Sequence, residues 1–182
     1  MPTVLAILAE GFEEIEAVAP IDLLRRAGAE VTVAALGEGI HVTGRTGLTL
    51  HATTTLAAVD ALPGQAYDCL FLPGGPGVKH LRADPRVRAR VLAQNTSRGW
   101  IAALCAAPAV LHDAGLLQGR RYTAHFSVAN ELPNILSNER VVEDGNLLTS
   151  RGAGTAVEFG LFLVTKLFSA EKSREIAQSI CV

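Results

Sequence analysis

The stretch Gly99-Trp-Ile-Ala-Ala-Leu-Cys105-Ala-Ala-Pro108-Ala-Val-Leu111 decides how this chain is read. Trp100 to Leu104 has the length and unbroken apolarity of a buried strand, and Ala106 to Leu111 reads as the start of a helix whose first turn tolerates Pro108. Cys105 falls at the junction. A side chain at a strand-to-helix turn is lifted above the sheet edge, which is the logic of a nucleophile elbow. Free N–H groups and the positive dipole end of the helix that follows favour a thiolate there. Ala106 and Ala107 are small enough for a substrate or a second loop to approach. The competing reading is an inert core cysteine, the commonest fate of a free thiol.

Further strand-like runs lie at Thr3–Ala9, Glu30–Leu36, Asp68–Leu72, Tyr122–His125 and Leu147–Ser150. Most are apolar throughout rather than alternating, as in strands covered on both faces. Between them lie helical patterns: a stripe of Ile15, Val18, Ile21 and Leu24 ending at Arg25-Arg26-Ala-Gly28, a run with Val87, Val91 and Leu92 after Asp84-Pro85, and one with Val157, Leu161, Val164 and Leu167. Alternating strand and helix predicts a doubly wound, mostly parallel α/β sheet of the flavodoxin-like kind, with helices on both faces. Gly39–Leu50, with Thr/Val alternation around Gly44-Arg45-Thr46-Gly47, predicts a small peripheral hairpin. One domain over residues 1–182 is expected. Ligands in such sheets bind outside the carboxyl ends of the strands, where the turns after Ala9 and Leu72 and the Cys105 turn converge.

Composition agrees. Hydrophobic residues make up 49% of the 182 but aromatics only 5%, so Ala, Val and Leu fill the core, as they do where helices pack on a parallel sheet. A formal charge of −2 with both signs interspersed points away from nucleic acid and acidic membrane surfaces. No apolar run reaches membrane-spanning length, and no secretory signal is evident at the start, so a cytoplasmic protein is expected. Cysteines at 69, 105 and 181 have neither disulfide nor zinc-site spacing. No metal is expected.

The first turn reads Glu10-Gly-Phe-Glu-Glu-Ile-Glu16-Ala-Val-Ala-Pro20. Glu10, Glu13 and Glu14 read as ordinary complements of a helix start. Glu16 differs, because Pro20 withholds the N–H that would bond its carbonyl and because it neighbours the apolar stripe. A carboxyl pointing into a partly dry site has a raised pKa and can exchange a proton with a thiol or substrate. The turn Phe71-Leu72-Pro73-Gly74-Gly75-Pro76-Gly77 could present N–H groups of Gly74 and Gly75 as half of an oxyanion hole, with the Ala106 N–H as another donor; by itself it could equally be only a turn. It has no nucleotide-binding fingerprint. His125 ends a strand-like run at the same edge and could be a proton carrier or a structural histidine. His41, His51, His80 and His112 read as surface residues, Cys69 as packing and Cys181 as exposed.

Four ordered segments, Glu10-Gly-Phe-Glu-Glu-Ile-Glu16, Leu72-Pro-Gly-Gly75, Ala102-Ala-Leu-Cys105-Ala-Ala-Pro108 and Leu148-Thr-Ser-Arg-Gly-Ala-Gly-Thr155, resemble the ThiJ/PfpI superfamily over essentially the whole chain, and in particular its Parkinsonism-associated deglycase branch. The resemblance implies a reactive thiol at Cys105, a carboxyl partner at Glu16, a nearby histidine at His125, and oxyanion donors at Gly75 and Ala106. It also implies a cofactor-free cytoplasmic homodimer. Ala107 replaces a frequent glycine of close relatives and Ala153 replaces the proline of a Gly-Pro-Gly, without touching those three residues. Phe126 follows His125, so no adjacent acid completes a hydrolytic triad.

The function implied is cofactor-independent chemistry on α-oxoaldehydes, glyoxal or methylglyoxal or their early adducts, giving a 2-hydroxy acid. A redox-sensing protein or chaperone working through oxidation of Cys105 uses the same residues, and a cysteine peptidase or amidase is a third reading. For the dimer, the first helix and the hairpin are the expected contact surfaces, with Arg45 either reaching the partner's site or sitting at an exposed tip. Arg151 is expected to be structural, pairing with a carboxylate or with backbone carbonyls.

Overall fold

The computed structural model describes residues 1–62 and 64–182. In chain order it contains β1 (Thr3–Leu8), α1 (Glu14–Ala27), β2 (Glu30–Ala35), β3 (His41–Thr43), β4 (Thr49–His51), β5 (Thr54–Thr55), α2 (Leu56–Asp60) and β6 (Cys69–Leu72). There follow α3 (Val78–Ala83), α4 (Pro85–Thr96), β7 (Trp100–Leu104), α5 (Pro108–Asp113), β8 (Val141–Asp144), β9 (Leu147–Ser150), α6 (Ala156–Leu167) and α7 (Ala170–Ser179). The main sheet runs β5-β2-β1-β6-β7-β9-β8, parallel except for β8. This is the flavodoxin-like α/β arrangement the sequence predicts.

The apolar runs form central strands because both of their faces are covered. Val4, Ala6 and Leu8 of β1 pack with α1, α6 and α7 on one side, while Leu5 and Ile7 pack with α2 to α5 on the other. Helix α1 opens on Glu13, whose carboxylate accepts the Glu16 N–H at 2.8 Å, and closes on Gly28 in the left-handed region at φ 99°. It continues unbroken through Pro20. Asp84 caps α4 through the Arg86 N–H at 2.9 Å, as Asp84-Pro85 announces. Gly160 lets α6 approach α1: a Cβ there would lie 3.0 Å from Pro20 Cα and 2.6 Å from Leu23 Cδ1.

Three sequence expectations change. Tyr122–His125 is not a strand. It runs extended beside β9, its Thr123 N–H going to the Thr149 hydroxyl at 2.9 Å instead of into a ladder, and β8 takes the place next to β9 as an antiparallel hairpin arm. The α1 stripe is rotated, with Ala17, Pro20, Ile21 and Leu24 inward while Ile15 is 55% and Val18 44% exposed. In α6, Phe159, Gly160, Leu163 and Val164 are buried and Val157 is partly exposed, because this helix is wedged between α1, α7 and the sheet. The peripheral hairpin is present as β3–β4, with His41 opposite His51. No helix among the described residues is long and apolar enough to cross a membrane.

Candidate active site

Cys105 leaves β7 with φ 64°, in the left-handed region that non-glycine residues avoid. Two backbone bonds hold it there: its N–H donates to the Ser150 carbonyl of β9 at 2.9 Å, and its carbonyl accepts the His125 N–H at 2.8 Å. Strain maintained in this way is what places the side chain of a nucleophile elbow above the sheet edge. Helix α5 begins at Pro108, two residues later than the sequence suggests, after a turn through Ala106 and Ala107.

Glu16 is 1% exposed and points into the same spot. Its Oε2 accepts the Gly74 N–H at 2.9 Å, and its carboxyl is the hydrogen-bond partner of the Cys105 thiol. Gly74 therefore does not serve as an oxyanion donor, as the sequence reading has it; its amide is spent on Glu16. Glycine is required there because a Cβ would lie 2.5 Å from Glu16 Oε2 and 2.6 Å from Cys105 Cβ. The Gly75 and Ala106 N–H groups are hydrogen-bond donors to the Cys105 sulfur. Gly75 reaches this orientation at φ 91°.

Burial, aided by the charge of Glu13, raises the Glu16 pKa to about 7. Burial, then the charge of Glu16 and the hydrogen bond to it, push Cys105 up to about 12, against the two N–H donors. The lowered thiol pKa expected from the helix start is therefore not found: burial and Glu16 outweigh the two N–H donors. Near neutral pH the carboxyl of Glu16 therefore exchanges its proton while the thiol of Cys105 keeps its own.

His125 lies alongside, the residue preceding a short 3₁₀ turn over Phe126–Val128. Its Nδ1 accepts the Ser127 N–H at 3.2 Å and lies 2.9 Å from the Ser127 hydroxyl, which leaves the proton of the neutral ring on Nε2. Burial and the Arg45 charge lower its pKa, so the ring is neutral at pH 7. Ser127 and Gly152 are neighbours of His125 that sequence reasoning missed. A Cβ on Gly152 would lie 3.4 Å from His125 Cδ2 and 3.8 Å from Glu16 Oε1. The Ser two positions after the histidine was the available signal for the first.

Arg45 is exposed in the turn of the hairpin and also lines the pocket of its own chain. Its N–H donates to the Phe12 carbonyl at 2.8 Å and its side chain lines the cavity of about 540 Å³ that also holds Glu16, Cys105, Ala106 and His125. Glu14 anchors the hairpin by accepting from Thr46 N at 2.7 Å and Oγ1 at 2.6 Å, and Glu10 accepts the Thr43 N–H. These acids, with Glu13 as cap, are structural as expected. Arg151 holds the Ser137 carbonyl at 2.8 Å. Cys69 is fully buried, Cys181 is exposed, and the other four histidines are exposed. No cluster of three metal-ligating side chains occurs among the described residues.

A strained cysteine over the carboxyl ends of parallel strands, backed by a buried carboxyl and two inward N–H groups, defines the class of elbow-cysteine α/β proteins. Residues 2–166 match the DJ-1/PfpI family, and the chain belongs to that family. It is 40% identical to Protein dj-1beta of Drosophila melanogaster over 98% of this chain and 96% of that one. It is 37% identical to the Parkinson disease protein 7 homolog of Danio rerio over 94% and 93% respectively. The solved structure of oxidized Toxoplasma gondii DJ-1 superposes with a TM-score of 0.93 at 35% identity, covering all of this chain and 98% of the other.

Proposed function

We propose that this protein is a cofactor-independent cysteine enzyme acting on α-oxoaldehydes or their early adducts on amino groups. The observation that carries the reading is the Cys105–Glu16 pair, a thiol hydrogen-bonded to a buried carboxyl whose pKa is raised to about 7. In the reacting arrangement the ionised carboxyl takes the thiol proton, so that the sulfur carries the charge beside the Gly75 and Ala106 N–H groups.

The sulfur attacks the aldehyde carbon of methylglyoxal, and the new alkoxide takes up the Glu16 proton to give a hemithioacetal. The carboxylate so formed removes the hydrogen from that carbon, and the enediol is reprotonated at the neighbouring carbon. The former aldehyde is thereby oxidised to a thioester and the ketone reduced to an alcohol within one molecule. Water then cleaves the thioester, releasing lactate and the thiol. Neutral His125, with its proton on Nε2, serves this last exchange with water, and Arg45 holds negative charge at the mouth. Lactate formation from methylglyoxal by wild type, and its loss in Cys105→Ser, test the reading.

A second reading shares the site. A protonated carboxyl and two N–H groups on one sulfur also stabilise a sulfenate or sulfinate, which supports a redox-sensing role. A peptidase is not supported, because His125 Nδ1 is held by Ser127 and not by a carboxylate.

We also propose a homodimer. Ile15, Val18, Ile40 and Leu48, on α1 and the β3–β4 hairpin, are 55%, 44%, 39% and 63% exposed and support a contact surface there.

A further inference from the structure

The geometry points to a second subsite beyond His125, built for a larger substrate whose apolar arm ends in a carboxylate read by Arg151. This inference rests on the α-oxoaldehyde reading of Cys105 and names the kind of oxoaldehyde, or adduct, that the site would take.

A groove of about 690 Å³ that does not include the thiol is lined by His125. His125 and Ala153 line both this groove and the cavity of Cys105, so the two adjoin at the imidazole. Methylglyoxal needs only the first cavity and leaves the second unused. The walls of the groove are apolar, formed by Ala124, Phe126, Ala129, Leu132 and Ile135. Phe126 is 81% exposed and leans on the His125 ring, with centroids 4.0 Å apart. A large aromatic side chain left in water at the lip of an apolar groove is poised to cover a planar or aliphatic ligand arm.

The charge in the groove is one-sided. None of its lining residues is acidic. Arg140, at the rim, is neutralised by Glu158 at 2.5 Å and also holds the Gly154 carbonyl. Arg151 is half-buried and donates through Nη1 to the Ser137 carbonyl, and no carboxylate among the described residues pairs with it. A guanidinium has five N–H donors. Arg151 therefore supports the loop with one edge and presents an uncompensated cation to the groove with the rest. An apolar trough ending in such a cation is complementary to an apolar arm with a terminal carboxylate.

Alkylation of Cys105 tests this without turnover. Para-(iodoacetamido)benzoate and neutral iodoacetanilide both react by displacement of iodide by the sulfur, and differ only in the carboxylate at the end of the ring. Rates at Cys105 are read by peptide mass spectrometry and normalised to the reaction of each reagent with free cysteine. Wild type should favour the carboxylate reagent by about tenfold, the effect of one well-formed guanidinium–carboxylate pair. In Arg151→Gln the ratio should fall to about one. In Ile135→Trp, which fills the groove, both aryl reagents should slow relative to iodoacetamide. Equal rates in wild type overturn the proposal. So does a preference that survives Arg151→Gln, since the carboxylate would then be read at Arg45 or Lys79. If Arg151→Gln does not fold, unchanged aryl rates in Ile135→Trp overturn it alone. A protein that makes no lactate but shows these ratios keeps the subsite and loses the oxoaldehyde chemistry.

Discussion

At Cys105 and Glu16 the chain keeps two acidic groups together in a place with comfortable room for one negative charge. The pH dependence follows from that. Glu16 is raised in the folded state from 4.5 to about 7. A raised pKa means that the folded protein holds a proton the unfolded chain has already lost. The stability it contributes is present below pH 4.5, is lost progressively up to about pH 7, and levels off above. The loss is about 3 kcal/mol from the size of the shift. Glu16→Gln has no proton to lose, so denaturant unfolding should show its stability gaining on wild type across that window. A difference independent of pH would mean that Glu16 is ionised throughout. Burial and the Glu16 charge hold Cys105 up at about 12, so its alkylation by iodoacetamide should rise only above the range of an ordinary thiol, and Glu16→Gln, which removes the charge, should bring that rise to lower pH. A rise through neutral pH in wild type would show that the sulfur shares in the ionisation of Glu16.

The turns around the thiol depend on backbone conformations that side chains resist. A Cβ on Gly75 would meet the Glu13 N at 2.5 Å, in a residue already at φ 91°. Gly75→Ala should therefore cost about 2 kcal/mol or more in unfolding free energy and slow Cys105 alkylation as the N–H turns from the sulfur; a silent substitution would refute the tight turn. Such details explain what could and could not be read from the chain. The parallel strands were legible because burial on both faces writes an unbroken apolar run. Cys105 was legible because a small-residue turn joined such a run to Pro108. The direction of an amide is written nowhere in a sequence, which is why Gly74, bound to Glu16, was read as an oxyanion donor. Tyr122-Thr-Ala-His125 is buried enough to pass for a strand, yet its hydrogen bonds go to side chains and turns. The β8–β9 hairpin did carry a signal in the two-residue Gly145-Asn146 turn, but the mixed polarity of Val141–Asp144 hid the edge strand.

Taken whole, the molecule places helices on both faces of the sheet and leaves α1 and the β3–β4 hairpin with exposed apolar side chains beside the mouth of the site. Light scattering should give twice the chain mass of 19.1 kDa at micromolar concentration, and Val18→Glu should shift it towards the monomer. A monomer mass in wild type would contradict the proposed contact. The same face carries Arg45, whose backbone anchors to Phe12 and whose charge reaches both Glu16 and His125, so dimerisation and the site would be linked through the hairpin. The central claim, that Cys105 and Glu16 together perform the chemistry, is tested most directly by lactate production from methylglyoxal. Wild type should form lactate without added cofactor, Cys105→Ser should form none above background, and Glu16→Gln should lose about a hundredfold or more in kcat while Cys105 remains open to alkylation. Lactate formed by Cys105→Ser at the wild-type rate, or by Glu16→Gln with kcat unchanged, would contradict the account.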